Sequence, residues 1–192
     1  MSLEKIMSES LEESVRTKKA FWEKSGAKLL EVGQLLSNVL ARGNKVLAFG
    51  NGGSATDSMH FSAELVNRFV KDRAALPAVS LVTDGPLLTC IGNDYSFEQI
   101  FERQIAGLGQ KGDMALGIST SGNSKNVILG LAEARKRGLV TVALLGGTGG
   151  KILEQSLADH VLIVDASRVT ARVQETHIWI LHSLCEIVDA QR

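Results

Sequence analysis

At 192 residues with 44% hydrophobic content, the chain can bury one substantial core and is most simply a single domain. Its 21 Lys and Arg balance its 21 Asp and Glu, so no long-range field gathers nucleic acid or an anionic membrane, and any anionic ligand must be held by local donors. No apolar stretch approaches the roughly 20 residues that span a bilayer, and the N-terminal Met1-Ser2-Leu3-Glu4-Lys5 lacks a signal-peptide core, which predicts a cytosolic protein.

Residues 3–42 read as helix, one bent or two in succession, with Gly26 near the middle and Gly43-Asn44 as the stop. From Lys45 onward short apolar runs alternate with helical stretches. The runs are Val46-Leu47-Ala48-Phe49, Ala78-Val79-Ser80-Leu81-Val82, Met114-Ala115-Leu116-Gly117-Ile118, Val140 to Leu145, and His160-Val161-Leu162-Ile163-Val164. Hydrophobicity that is continuous rather than alternating suits strands buried on both faces. The helical stretches fall near 54–70, 97–107, 123–137, 149–156 and 170–190. The pattern predicts an α/β fold: one doubly wound, five-stranded parallel sheet between helices, built from an α/β core at 44–192 behind a helical segment at 1–43. Cys90 and Cys185 are too few and too far apart for a disulfide framework, and both read as buried free thiols.

Ligands of open parallel sheets bind beyond the C-terminal ends of the strands, and two loops lie there. Gly50-Asn51-Gly52-Gly53-Ser54 follows the first run and opens a helix, whose N-terminus offers unpaired N–H groups to an anion. Ser119-Thr120-Ser121-Gly122-Asn123-Ser124 follows the third run and supplies a ring of hydroxyl and backbone donors that suits a phosphate. The competing reading of this second loop is a set of helix-capping residues. Gly50, Gly52 and Ala55 also match a dinucleotide fingerprint. That reading places the acidic partner, Asp84, too far on, and it gives no role to the serine-rich loop or the last helix.

His60 and Glu64 stand one turn apart on the helix after the first loop and share a face. Beside Phe61, Leu65 and Phe69 they could equally be a core histidine and a solvated glutamate. The last helix carries Gln174, Glu175, His177 and His182 among apolar residues. His177 falls on the apolar stripe with Val173, Ile180, Leu181, Leu184 and Val188, which marks it as structural. Gln174 and His182 are separated by about 12 Å of helix rise. One ion would reach both only through extended side chains, or through ligands from two subunits.

The ordered set Gly50 to Ser54, His60-Phe61-Ser62-Ala63-Glu64, Arg68, Ile91-Gly92-Asn93-Asp94, Ser119 to Ser124, and Arg172-Val173-Gln174-Glu175-Thr176-His177 with His182 closely resembles the phosphoheptose isomerases over essentially the whole chain. The resemblance implies conversion of sedoheptulose 7-phosphate into D-glycero-D-manno-heptose 7-phosphate, which feeds heptose into bacterial lipopolysaccharide and related glycans. It implies a homotetramer with sites between subunits, the 1–43 segment serving assembly, and a bound zinc without any nucleotide cofactor. By position, Glu64 resembles the base acting between C1 and C2, and His182 its acid partner. His60, Glu64, Gln174 and His182 match the metal ligands. Asn51, Gly52, Gly53, Glu64, Asn93, Asp94, Ser119, Thr120, Ser121, Ser124 and Gln174 match positions that hold the sugar phosphate. Ala171, preceded by Thr170, stands where some members of the family carry an aspartate.

Two other functions fit the same fold. A paralogous group binds the bacterial replication initiator without catalysis, but it lacks the glutamate and alters the serine-rich loop, both of which this chain keeps. An isomerase of another sugar phosphate would use the same phosphate nest and enediol base.

Overall fold

In the computed structural model, which describes residues 2–192, the apolar runs form strands β1 (Val46–Gly50), β2 (Ala78–Ser80), β3 (Met114–Ser119), β4 (Val140–Gly146) and β5 (His160–Val164). Every pairing is parallel, in the order β2-β1-β3-β4-β5. Alternate residues feed opposite layers. Val46, Ala48, Met114, Leu116, Val142 and Leu144 pack into one cluster, while Leu47, Phe49, Ala115, Ala143 and Leu145 pack into the other. With both faces covered there is no solvent side for polar residues to occupy, which is why the runs read as continuous.

One layer is made by α1 (Leu3–Ala41), α2 (Gly53–Val66) and α7 (Thr170–Ala190), through residues such as Leu29, Leu36, Phe61, Leu65, Ile180 and Leu184. The other is made by α3 (Gly85–Asp94), α4 (Ile100–Leu108), α5 (Lys125–Lys136) and the short α6 (Gly150–Glu154), through Ile91, Phe101, Ile105, Val127, Leu131 and Ile152. Below the sheet, the buried Asp113 gathers the strand starts: it accepts from the Lys45 N–H at 3.0 Å, the Lys45 ammonium at 2.5 Å and the Gln110 N–H at 2.9 Å.

Several details depart from expectation. The N-terminal segment is one unbroken helix of 39 residues, begun by Ser2, whose Oγ accepts from the Lys5 N–H at 3.2 Å. The second strand ends at Ser80 instead of Val82, and the helix after the first loop ends at Val66, leaving Arg68 and Phe69 outside it. Helix α3 was not foreseen, although its start is written in the sequence: Asp84 caps it by accepting from the Leu87 N–H at 2.9 Å, and Pro86 occupies the first turn. The stretch expected to open at 97 begins as a 3-10 turn, Phe97–Gln99, before α4. Cys90 lies exposed on α3, contrary to its apolar sequence setting, because Leu87 and Ile91 take the buried face of that helix. Cys185 is buried; desolvation first, then the charges of Glu64 and Asp189, push its thiol up to about 12. Among the described residues, no helix is long and apolar enough to cross a membrane.

Candidate active site

The order of the sheet puts β1 beside β3, with their following helices on opposite faces. The two informative loops therefore flank the crevice where the winding reverses. A reciprocal amide pair closes one over the other: Asn51 Nδ2 donates to Asn126 Oδ1 at 2.8 Å, and Asn126 Nδ2 returns a bond to Asn51 Oδ1 at 2.9 Å. Asn126 was not foreseen, since an asparagine in the first turn of a helix looks like a capping residue.

Ser124 occupies the N-cap of α5, yet its hydroxyl makes no capping bond and instead lies 3.1 Å from Ser119 Oγ. Ser119 Oγ also accepts from the Gly122 N–H at 3.1 Å, and Ser121 Oγ from the Asn123 N–H at 3.2 Å. The serines thus hydrogen-bond within the loop, and the start of α5 has no side-chain cap from Ser124. Gly122 is required here. Its φ is +65°, and a Cβ would fall 1.9 Å from the Gly149 carbonyl oxygen. Thr120 and Ser121 line a polar cavity of about 200 Å³ with Thr148, Ser167 and Arg168.

On the other side of the crevice α2 and α7 run alongside each other and meet at two levels. At the upper one, Gln174 lies against Gly53, close enough that a Cβ there would sit 2.2 Å from Gln174 Nε2; Gly52, with φ +57°, is the N-cap just before it. Two turns further along, His60, Glu64 and His182 converge. His60 Nε2 is 3.1 Å from Glu64 Oε1 and 3.1 Å from His182 Nε2. The Phe69 ring stands 5.3 Å from that of His182 and walls the cluster. Burial, and then the neighbouring His60, hold His182 below the ordinary imidazole value; Glu64 and Glu186 offset this in part.

Gln174 does not join this trio, although it lines one cavity with His60, Ala171 and Asp57. Asp57, one turn before His60, has its Oδ2 buried without a partner. Desolvation raises its carboxyl to about 6, against the opposing pull of His60. Asn93 and Asp94 stand exposed at the end of α3, where Asp94 lines a different cavity, between α3 and α4. His177 is fully buried, with Nε2 3.0 Å from the Leu145 carbonyl, and desolvation lowers it to about 4. It is a structural histidine, as its stripe predicts. Glu175 pairs with Arg172 at 3.0 Å, and Arg172 reaches the Ser10 carbonyl at 2.8 Å, tying α7 to α1.

The donor set of the trio fits a divalent cation. Among the described residues it is the one group of three His, Cys, Asp or Glu side chains whose ligand atoms all lie within 4.8 Å of one another. In a tetrahedral site with bonds of about 2.0–2.1 Å the ligand atoms stand about 3.3 Å apart, close to the two 3.1 Å separations seen here. Two imidazoles and a carboxylate make a set of zinc type.

Residues 11–146 match the SIS domain family. The phosphoheptose isomerase of Aquifex aeolicus is 50% identical over 177 residues, covering 92% of this chain and 91% of its own. That of Nitratidesulfovibrio vulgaris strain Miyazaki F is 45% identical, covering 96% and 87%. Among solved structures, a phosphoheptose isomerase from Francisella tularensis superimposes with a TM-score of 0.93 at 35% identity, covering 99% of this chain and all of that one. The enzyme from Neisseria gonorrhoeae gives 0.91 at 38% identity, covering 98% and 100%. With identity of this order along nearly its whole length, and the same sheet beneath it, the chain belongs to the phosphoheptose isomerase family of SIS-domain proteins.

Proposed function

We propose that this protein is an aldose–ketose isomerase that converts sedoheptulose 7-phosphate into D-glycero-D-manno-heptose 7-phosphate for heptose-containing glycans, with Glu64 and His182 moving the protons. The observation that carries the assignment is the convergence of Glu64 and His182 on His60 from two different helices, in a chain of this family.

The reaction moves a hydrogen from C1 to C2 and a carbonyl from C2 to C1. Glu64 takes the proton from C1 as His182 gives one to the C2 oxygen, and the C1–H electrons become the double bond of an enediol. The O1 proton then passes to His182, C1 becomes the carbonyl carbon, and the double-bond electrons take the proton from Glu64 at C2. Both side chains end as they began. His60, Glu64 and His182 would hold the zinc, with Gln174, which shares a cavity with His60, as the amide candidate for a fourth position. The ion supplies Lewis-acid polarisation of a carbonyl when bound. A carboxylate held on a cation is a weaker base, so ordering the site and accepting the proton compete at Glu64.

The phosphate belongs to Ser119, Thr120, Ser121 and Ser124, with the backbone of Asn51, Gly52 and Gly53; Asn93 and Asp94 join the sugar site from another copy. Within one chain Glu64 lies eleven residues along α2 from Gly53, about 16 Å of rise. Spanning that rise takes the sugar phosphate together with the Glu64 side chain, which tilts toward the start of α2, and in the proposed assembly the sites lie between subunits. The assembly is a homotetramer in which residues 1–43 serve packing and 44–192 form the catalytic core. Supporting this, α1 exposes Leu3, Met7, Leu11 and Val15 at four-residue intervals, with Leu11 66% exposed.

The test is proton NMR with sedoheptulose 7-phosphate in D₂O. Aldose carrying solvent deuterium at C2 is the expected result. Absence of both aldose and exchange, with zinc supplied and the fold intact, overturns the assignment.

A further inference from the structure

The cluster draws its ligand atoms from two helices, so α2 and α7 must be held in register for Glu64 to face His182. Helix α2 ends at Val66, only two residues past Glu64. A terminal turn would ordinarily fray, and its last carbonyls lack helical partners. Arg73, in the segment beyond, folds back to supply them. Its Nη2 donates to the Glu64 carbonyl at 2.8 Å, and its Nη1 to the Leu65 carbonyl at 2.9 Å.

The same guanidinium reaches the other helix. Its Nε donates to Asp189 Oδ1 at 2.8 Å, and Asp189 lies on α7 two turns beyond His182. Asp189 Oδ2 accepts the backbone N–H groups of Val70 and Lys71, each at 3.2 Å, which pins the intervening segment. The two side chains are 7% and 4% exposed. A buried ion pair carries a desolvation cost that well-packed apolar residues would avoid, so stability alone is a weak reason for it. What it provides is geometry. A planar fork of fixed donors joins the carbonyl of Glu64 to a carboxylate on the helix that carries His182, which no apolar pair can do.

We propose that Arg73 and Asp189 are positioning residues for the His60–Glu64–His182 cluster, clamping the last turn of α2 onto α7 so that the three ligand atoms converge. The proposal rests on reading that cluster as the metal and proton-transfer site. Loosening the clamp moves Glu64 and His182 apart while leaving the sheet and the phosphate loops in place.

The probe is Co²⁺ alone, titrated into the metal-stripped full-length protein, with its visible absorption read for affinity and ligand geometry. Arg73→Lys keeps the charge but cannot span both carbonyls and the carboxylate. Asp189→Asn keeps the shape but turns an amide N–H toward the guanidinium. The matched control is Asp113→Asn, which weakens an equally buried carboxylate, 1% exposed, at the opposite end of the strands. Both clamp variants should weaken Co²⁺ binding by about 10- to 100-fold and alter the spectrum. Asp113→Asn should lower the thermal midpoint and leave affinity and spectrum unchanged. Unchanged binding in Arg73→Lys, or an equal loss in the control, overturns the proposal. A Co²⁺ spectrum that His182→Ala leaves unchanged from wild type would show that the cluster is not the metal site, and the clamp falls with it. Should Asp189→Asn fail to fold, Arg73→Lys decides.

Discussion

Replacing His177 by glutamine should flatten the acid side of the stability curve. In the native chain this imidazole is fully buried and its Nε2–H donates to the Leu145 carbonyl at 3.0 Å, while Nδ1 has no partner. Desolvation lowers it from 6.5 to about 4. Between those values the unfolded chain takes up a proton that the native chain refuses. Its contribution to stability is therefore full above the unfolded value and drains away as the pH falls through the window. The gap corresponds to about 3 kcal/mol in total, of which about 2.5 kcal/mol is lost between about pH 7 and about pH 4.5. Glutamine keeps an N–H for Leu145 and does not titrate. His177→Gln should thus start below wild type by about 1 kcal/mol near neutrality, then lose about 2.5 kcal/mol less on acidification. Asp57, raised to about 6 by desolvation, acts in the opposite sense: its stabilising contribution is present below its unfolded value and lost as the pH rises through about 6. That contribution cancels in the difference between the two proteins. The assay is urea unfolding followed by the fluorescence of Trp22 and Trp179, with chelator present and the chain concentration fixed so that assembly does not vary. Parallel pH profiles for the two proteins would refute the reasoning.

Three further outcomes follow from the site. Glu64→Gln should lower turnover by about 10²- to 10⁴-fold and leave circular dichroism unchanged; near-normal turnover and deuterium exchange would remove that carboxylate from the role of base. Gly122→Ala forces a left-handed φ, costing about 1–2 kcal/mol, and drives a Cβ to 1.9 Å from a backbone oxygen. It should raise KM for the sugar phosphate steeply, and an unchanged KM would exclude this loop as the phosphate site. Zinc at about a hundred times its Kd should stabilise the stripped protein by about 2.7 kcal/mol, read as a rise in thermal midpoint. His60→Ala should abolish that rise, and an equal rise in the variant would place the ion elsewhere.

The sheet was legible because its physics is local. A strand covered on both faces must be apolar at every position, and a helix with one covered face must repeat near 3.6. The same rule separated two histidines on α7. Five residues apart, His177 and His182 point to different sides of the helix, one into the sheet against Leu145 and the other across to α2. Boundaries were less legible because they are set by partners. Val66 ends α2 where Arg73 takes the carbonyls of Glu64 and Leu65, and nothing in Lys71-Asp72-Arg73 distinguishes it from a solvated charged turn. Asn126 and Asp189 were hidden for the same reason, since their partners lie 75 and 116 residues away.

Gln174 and His182 show where one-dimensional spacing does and does not constrain a site. Their separation along α7 leaves one ion within reach of both only through extended side chains or through two subunits, and the structure sets each against α2, Gln174 over Gly53 and His182 with His60. Because both pairs are set by the packing of the same two helices, a change that slides α2 along α7 disturbs the ligand loop's helix start and the proton-transfer cluster together. A change confined to the end of α2 disturbs the cluster alone. Arg73 and Asp189 act at that end, whereas Gly53 acts at the other, so Gly53→Ala should impair phosphate binding and metal binding together where Arg73→Lys impairs only the metal.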